Sequence, residues 1–299
     1  MQDKYYNQIK KEFINNETYK RVKDYSKNKN DLETYYRVGK LLIEAQGGEE
    51  RAKYGNQLIK EYSKRLTLEL GKGYSVTSLK YMRQFYLFQK SQPVVDQLSW
   101  TQYTILLRLK DINAINYYIQ IIQEQNLSKR SLEFKIKNKE YERLDNKTKN
   151  KLITKENISV TDFVKNPILI RTNGKEIANE KILKYFILEN MEQFLKELGP
   201  GFSFIGSEYK LRIGNTYNFI DLLLFNYKYN CFIVVELKTT ELKKEHIGQT
   251  EIYMNYVDKN LKNISQNKTI GIIICKHDNK LILSYCSDKR IFTTRYISI

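Results

Sequence analysis

At 299 residues with 41% hydrophobic content, the chain is long enough for two domains with separate cores. Its 51 Lys and Arg against 34 Asp and Glu leave a formal charge of +17, which suits a polyanionic partner, although a chain this rich in Lys, Asn and Ile reaches a high basic count from composition alone. Two histidines argue against a His-built metal site or a Ser-His-Asp triad, and Cys231, Cys275 and Cys286 lie in apolar runs unlike a disulfide framework; with no leader-like apolar stretch after Met1 and no bilayer-length apolar run, a reduced, cytoplasmic protein with no membrane partner is expected.

The first half reads as helical throughout. Asp31 is placed to cap a helix with Leu32, Tyr35, Val38, Leu42 and Ile43 on one face. A second helix is predicted over 50–70, stopping at Gly71. Ser75 starts a third with Leu79, Met82, Phe85 and Tyr86 as its apolar stripe, and Ser99 a fourth with Ile105, Leu106 and Leu109. A fifth covers 112–124, and Ser128 caps the last. The helix, the Gly-containing turn 70–74, and the Ser-, Thr- and Lys-bearing helix from Ser75 have a helix-turn-helix layout. Between Arg51 and Lys110 there are 11 basic residues and three acids. Lys72, Ser75, Thr77, Lys80 and Arg83 are therefore candidate DNA contacts, with Lys129 and Arg130 on a second such unit. An ordinary helical domain with solvated polar faces, or a dimer surface, fits the same pattern.

These features divide the chain into a helical domain (1–145), a polar, Lys- and Asn-rich linker with at most a short helical turn (146–166), and a second domain (167–299) entered at Pro167. There a helix over 176–198 ends at Gly199-Pro200-Gly201. Strands are predicted over 204–213, 217–226 and 231–239, then a helix over 244–259 and strands over 269–276, 280–287 and 292–297. This order describes an α/β sandwich around a mixed sheet.

Two carboxylates sit where charge is expensive. Asp221 lies inside FIDLLLF and Glu236 inside FIVVELK, both apolar runs. A buried carboxylate costs several kcal/mol or more unless paired or bound to a cation. If Asn226 faces Cys231 across a hairpin, Asp221 falls opposite Glu236, and Lys238 follows on the same face by period two. On the helix before the sheet, Glu180 extends the apolar stripe Leu183, Ile187, Met191, Phe194 and Leu198, while Glu189 and Glu197 fall off it and read as solvated. Gln249 shares a helix face with Tyr253 and Tyr256. Singly, each of these residues reads as an ordinary strand-end or helix-surface polar group.

Asp221 followed by Glu236-Leu237-Lys238 has the form of a PD-(D/E)xK nuclease motif. The longer run from FLKELGPGFSFIG through EIYMNYVD resembles the YhcG-type family of that superfamily. The N-terminal segments YYRVGKLLIE, YGNQLIKEYSKRLTLELGKGYSVTSLKYMRQFYL and QLSWTQYTILLRLKD resemble its companion domain. A shorter likeness links the latter to the DNA-binding helices of ParB-like partition proteins. The resemblance implies a restriction-endonuclease-like fold. It further implies Mg²⁺ (with Mn²⁺ able to substitute) held by Asp221, Glu236 and the Leu237 carbonyl, with Lys238 at the attacking water and Glu180 and Gln249 in support. Ile220 stands where the motif's proline often precedes the acid. DNA is the implied substrate, in defence against foreign DNA, in restriction-modification or in repair. A homodimer, a junction-resolvase-like selectivity and a catalytically silent DNA-binding protein stay open.

Overall fold

A computed structural model describes residues 2–22, 27–48, 56–91, 98–154, 156–157, 159–286 and 288–299. The chain divides into two compact units, Met1–Asn138 and Lys139–Ile299. None of the described helices is long and apolar enough to cross a membrane.

The first unit is helical throughout its described residues: α1 Gln2–Val22, α2 Lys27–Ala45, α3 Asn56–Leu70, α4 Val76–Ser91, α5 Trp100–Leu106, α6 Ile112–Gln125 and α7 Lys129–Lys137. Polar caps set several starts. The Ser75 hydroxyl accepts the Ser78 N–H at 3.1 Å, Ser99 and Gln102 form a capping box, and Ser128 accepts the Ser131 N–H at 3.2 Å. Asp31 does not cap. The helix α2 already begins at Lys27, and Asp31 instead accepts a hydrogen bond from the buried Asn16 amide at 2.6 Å. A packed partner outweighs the local signal there. The expected start at residue 50 lies outside the described residues.

One core gathers Tyr6, Ile9 and Phe13 of α1, Val38 and Leu42 of α2, Ile59, Tyr62 and Leu66 of α3, and Leu79 and Met82 of α4. The approach of α2 to α4 depends on Gly39, where an added Cβ would stand 2.2 Å from the Met82 carbonyl oxygen.

In the second unit, α8 Asn146–Thr154 and a 3₁₀ turn Val160–Phe163 lead to β1 Ile168–Ile170. The polar stretch 146–166, expected as a linker, is thus partly helical and contributes the buried Thr148, Val160 and Lys165. Asn146, Lys147, Asn150 and Asn157 are exposed, but Lys165 Nζ donates to the Glu197 carbonyl at 2.7 Å and lies 3.6 Å from the Glu140 carboxylate. Glu197, expected to be solvated, is buried in an ion pair with Arg143 and accepts the Leu169 N–H at 3.0 Å.

The elements that follow are α9 Glu180–Glu189, α10 Met191–Leu198, β2 Phe202–Ile213, β3 Thr216–Asn226, β4 Cys231–Glu241, α11 Lys244–Asn260, β5 Asn267–His277, α12 Lys280–Ser284 and β6 Ile291–Ser298. The helix expected over 176–198 starts at Glu180, where the Asn179 side chain caps it, and breaks at Asn190, whose amide donates to the Phe186 carbonyl. The strand expected over 280–287 is instead the short helix α12, capped by Asn279 accepting the Ile282 N–H at 3.2 Å. A brief apolar run fits either period, and the cap decides. The three-residue β1 went unread because it is too short to show alternation.

The sheet has the order β1-β6-β5-β4-β3-β2. β2, β3 and β4 form an antiparallel meander, and β5, β6 and β1 join in parallel. One face packs on α9 and α10 through Leu183, Phe186, Ile187, Leu222, Ile233 and Val235; the other packs on α11 through Leu223, Val234, Tyr253, Met254 and Ile273.

A Gly39→Ala variant should lose about 3 kcal/mol of stability, the usual upper range for overpacking, read as an earlier chemical-denaturation transition of the helical unit with the second unit unchanged.

Candidate active site

β3 and β4 pair from Asn226↔Cys231 to Leu222↔Val235, the register suggested by the hairpin. One more step would set Asp221 against Glu236, and there the ladder stops. β3 continues along β2 to Thr216 while β4 continues along β5, so the two strands fork. Asp221 is therefore not a cross-strand partner of Glu236 on one flat face. Its Oδ2 reaches into the fork and accepts the Leu237 N–H at 2.9 Å. Ile220 packs into the core beside α11 and Leu222 into the core beside α9, although period two would give them one face. β3 rolls over at Asp221, and its carboxylate takes the place of a backbone acceptor.

Glu236 projects from β4 and is 2% exposed. Its Oε1 is buried with no hydrogen-bond partner, and Oε2 lies 3.6 Å from Lys238 Nζ. Burial, then the Asp221 charge, push its carboxyl up to about 8 against the opposing pull of Lys238. Lys238 Nζ also lies 3.7 Å from Glu180 Oε2, which the Asn179 cap holds at the start of α9. Asp221, Glu236, Lys238 and Glu180 thus converge. Gln249 joins indirectly by donating to the Tyr253 hydroxyl at 2.7 Å. Burial raises the Tyr253 phenol against that hydrogen bond, and the charges of Glu236, Lys238 and Asp221 act on the same ring.

Two residues of the site escaped the sequence reading. Lys184 Nζ stands 2.6 Å from Asp221 Oδ1 and pairs with Glu208 of β2. Burial works to lower its ammonium, but the hydrogen bonds to Asp221 and Glu208 win and hold it above the ordinary value. Its signal was available, since Lys184 is one helical turn beyond Glu180. His246, in the first turn of α11, accepts the Lys243 N–H on Nδ1 at 3.2 Å. Burial first, then the Lys238 charge, lower its imidazole. With two histidines in the chain, it drew no attention.

The donor set fits a hard divalent cation. No group of three or more His, Cys, Asp and Glu stands together as a metal cage among the described residues. Magnesium, however, is commonly held by one or two carboxylates, with water and substrate phosphate completing the shell. Asp221 and Glu236 supply two such groups, and the partnerless Glu236 Oε1 is a buried acceptor of the kind a cation satisfies. The Leu237 carbonyl lies between Glu236 and Lys238 in sequence.

In the helical unit, Lys72, Ser75, Thr77, Lys129 and Arg130 are exposed and Lys80 is half-buried. Arg83 departs from expectation: its guanidinium is half-buried, lowered by burial, and donates to Gln46 Oε1 at 3.3 Å. Arg83 is thus held against the residue that follows α2.

Residues 161–299 match the family profile described as the YhcG PDDEXK nuclease domain, and residues 10–143 match the DUF1016 N-terminal domain. The YhcG protein of Escherichia coli (strain K12), whose name ascribes nuclease activity to it, is 28% identical over 283 residues, covering 81% of this chain and 76% of its own. A fainter likeness extends to the EndoMS–dsDNA2 complex (19% identity, TM-score 0.31, 42% of this chain) and to a repair endonuclease from Pyrococcus abyssi (16%, 0.29, 40%). The chain spans 48% of each of those two proteins.

A carboxyl raised in the folded state holds its proton more tightly there than in the unfolded chain, so its burial weakens the fold as pH rises from the ordinary carboxyl range to about 8. In chelator, wild-type Tm should fall across that window by about 5 °C more than that of Glu236→Gln, and added Mn²⁺ should restore it at pH 8. Differential scanning calorimetry of both proteins reads the difference; parallel pH profiles would contradict it.

Proposed function

This chain belongs to the YhcG type of PD-(D/E)xK nucleases, with a DUF1016 N-terminal domain ahead of a restriction-endonuclease-like nuclease domain, and on that premise we propose that it hydrolyses DNA phosphodiester bonds with a divalent cation, Mg²⁺ in the cell and Mn²⁺ as a substitute. The observation that carries this reading is the meeting of Asp221, Glu236 and Lys238 at the β3–β4 fork, with one buried Glu236 oxygen left unsatisfied.

Asp221, Glu236 and the Leu237 carbonyl are the groups that would hold the cation, which when bound supplies Lewis-acid charge at the phosphate and eases the ionisation of water. The chain's own part is positioning and charge. The Leu237 N–H fixes the Asp221 carboxylate. Lys238, drawn between Glu236 and Glu180, holds an ammonium where the phosphate's extra negative charge develops and can orient the attacking water. Gln249 holds the Tyr253 hydroxyl beside these charges and acts as a positioning residue. Lys184 neutralises Asp221 from the α9 side.

DNA as the substrate is supported by the +17 charge and by the basic excess of the helical unit, where Lys72, Ser75, Thr77, Lys80, Lys129 and Arg130 form the proposed binding surface. Nucleases that cut both strands of a duplex often use two active sites, which favours a homodimer. The activity suits defence against foreign DNA, beside restriction-modification proteins, or DNA repair.

Asp221→Ala and Glu236→Ala should each abolish Mg²⁺-dependent cleavage of a plasmid and oligonucleotide panel while leaving DNA affinity within about threefold of wild type. Cleavage that survives both changes would overturn the assignment. Charge reversal at Lys80 together with Arg130 should weaken binding and lower the slope of log K against log salt by about one per lost phosphate contact, measured by fluorescence anisotropy; an unchanged slope would remove these residues from the surface.

A further inference from the structure

The fork leaves part of the sheet overhanging. β3 keeps β4 only from Leu222 to Asn226, yet it keeps β2 as far as Ile213↔Thr216. Residues 208–213 and 216–221 therefore continue beyond the fork as a two-stranded ribbon rooted at Asp221.

The two faces of the ribbon differ in kind. Leu211 and Ile220 are fully buried in the core beside α11, with Tyr209 and Ile213 packed against it. The other face carries Lys210, Arg212, Tyr217 and Phe219, all exposed. Arg212 stands opposite Tyr217 and Lys210 opposite Phe219, so cations and rings alternate across the ribbon. Lys210 Nζ also lies 3.8 Å from the centre of the Tyr217 ring. Tyr217 is 57% exposed and Phe219 47%, rings the core does not use. Residues two apart on a strand are roughly 7 Å apart, so Tyr217, Phe219 and Asp221 form a line running toward the reacting centre.

Phosphates call for cations, not for rings. Rings set among cations are what a strand with accessible base faces requires, since every base offers a π-face for stacking while its phosphates seek the charges. In an intact duplex those faces are already stacked on each other. A protein partner would use the rings and Arg212 but not Lys210, a residue type depleted at the centres of protein interfaces, whereas a nucleic-acid strand uses all four.

We propose that the exposed face of this ribbon, Tyr217 and Phe219 flanked by Lys210 and Arg212, receives unpaired nucleotides of the DNA strand beside the scissile phosphate. This rests on the nuclease reading above and names its substrate class: DNA with single-stranded character at the cut.

The test compares full-length wild type with a Tyr217→Ala/Phe219→Ala double variant and a Tyr217→Trp/Phe219→Trp control. Their substrates are a blunt duplex oligonucleotide and the same duplex with a single-stranded extension carrying 2-aminopurine. Binding is measured in Ca²⁺ and cleavage in Mg²⁺. Wild type should prefer the extended substrate and quench the 2-aminopurine. The alanine variant should lose about ten- to hundredfold in affinity and cleavage on the extended substrate, little on the blunt one, and the quench; the tryptophan control should keep all three. A Tm equal to wild type in the alanine variant assigns the loss to contact and not to folding. Wild-type cleavage with no preference for the extension, an alanine variant that keeps the full preference, or equal losses on both substrates would overturn the ribbon's role while leaving the nuclease reading intact. Failure of wild type to bind or cut either DNA would overturn both.

Discussion

The backbone N–H of Leu237, donated to the Asp221 carboxylate where a sheet would ordinarily place a carbonyl, holds the site of this protein together. Once that substitution is made, β3 no longer needs β4, and the two strands can part. The gap between them is lined by Asp221 from one strand and by Glu236 and Lys238 from the other. Leaving a buried carboxylate oxygen without a partner costs free energy, and Glu236 retains one. Under the proposed function, a cation held by Asp221 and Glu236 would remove that cost.

The surrounding charges are arranged around this fork and not merely near it. Lys184 approaches Asp221 from α9, Lys238 approaches Glu236 along its own strand, and Glu180 and Glu208 hold the outer sides of these two amines. Each amine stands between two acids, which leaves Asp221 and Glu236 side by side and negative charge in excess at the fork. α9 contributes both Glu180 and Lys184 because it begins at the sheet's forked end, set there by the Asn179 cap and the buried stripe Leu183, Phe186 and Ile187. Farther away, the ion pair of Arg143 with Glu197, and Lys165 between Glu140 and the Glu197 carbonyl, tie the stretch before β1 to the end of α10. Polar residues that looked like a tether are part of that frame.

The helical unit shows how capping and packing divide the work. Ser75, Ser99 and Ser128 start helices where a hydroxyl or amide side chain was expected to do so, because a cap acts within one turn and depends on few neighbours. Asp31 and Arg83 went elsewhere because each found a partner outside its own helix, Asn16 of α1 and Gln46 just after α2 respectively. Local chemistry predicts a start well; it predicts poorly which polar residue a neighbouring helix will claim.

The sequence by itself determined most of the order of the elements, the hairpin register from Asn226 and Cys231, and the presence of two carboxylates and an amine inside apolar strands, because period, turn residues and the cost of buried charge are all local quantities. It also carried the family likeness. Only the tertiary structure decided that the ladder ends at Leu222, that β3 rolls over at Asp221, that Lys184 meets that carboxylate, that Glu197 is buried, and that 280–284 coils into a helix. Each depends on contacts between segments far apart in the chain. Period two describes a flat strand, and a strand that rolls where its neighbour departs obeys the neighbours, not the period.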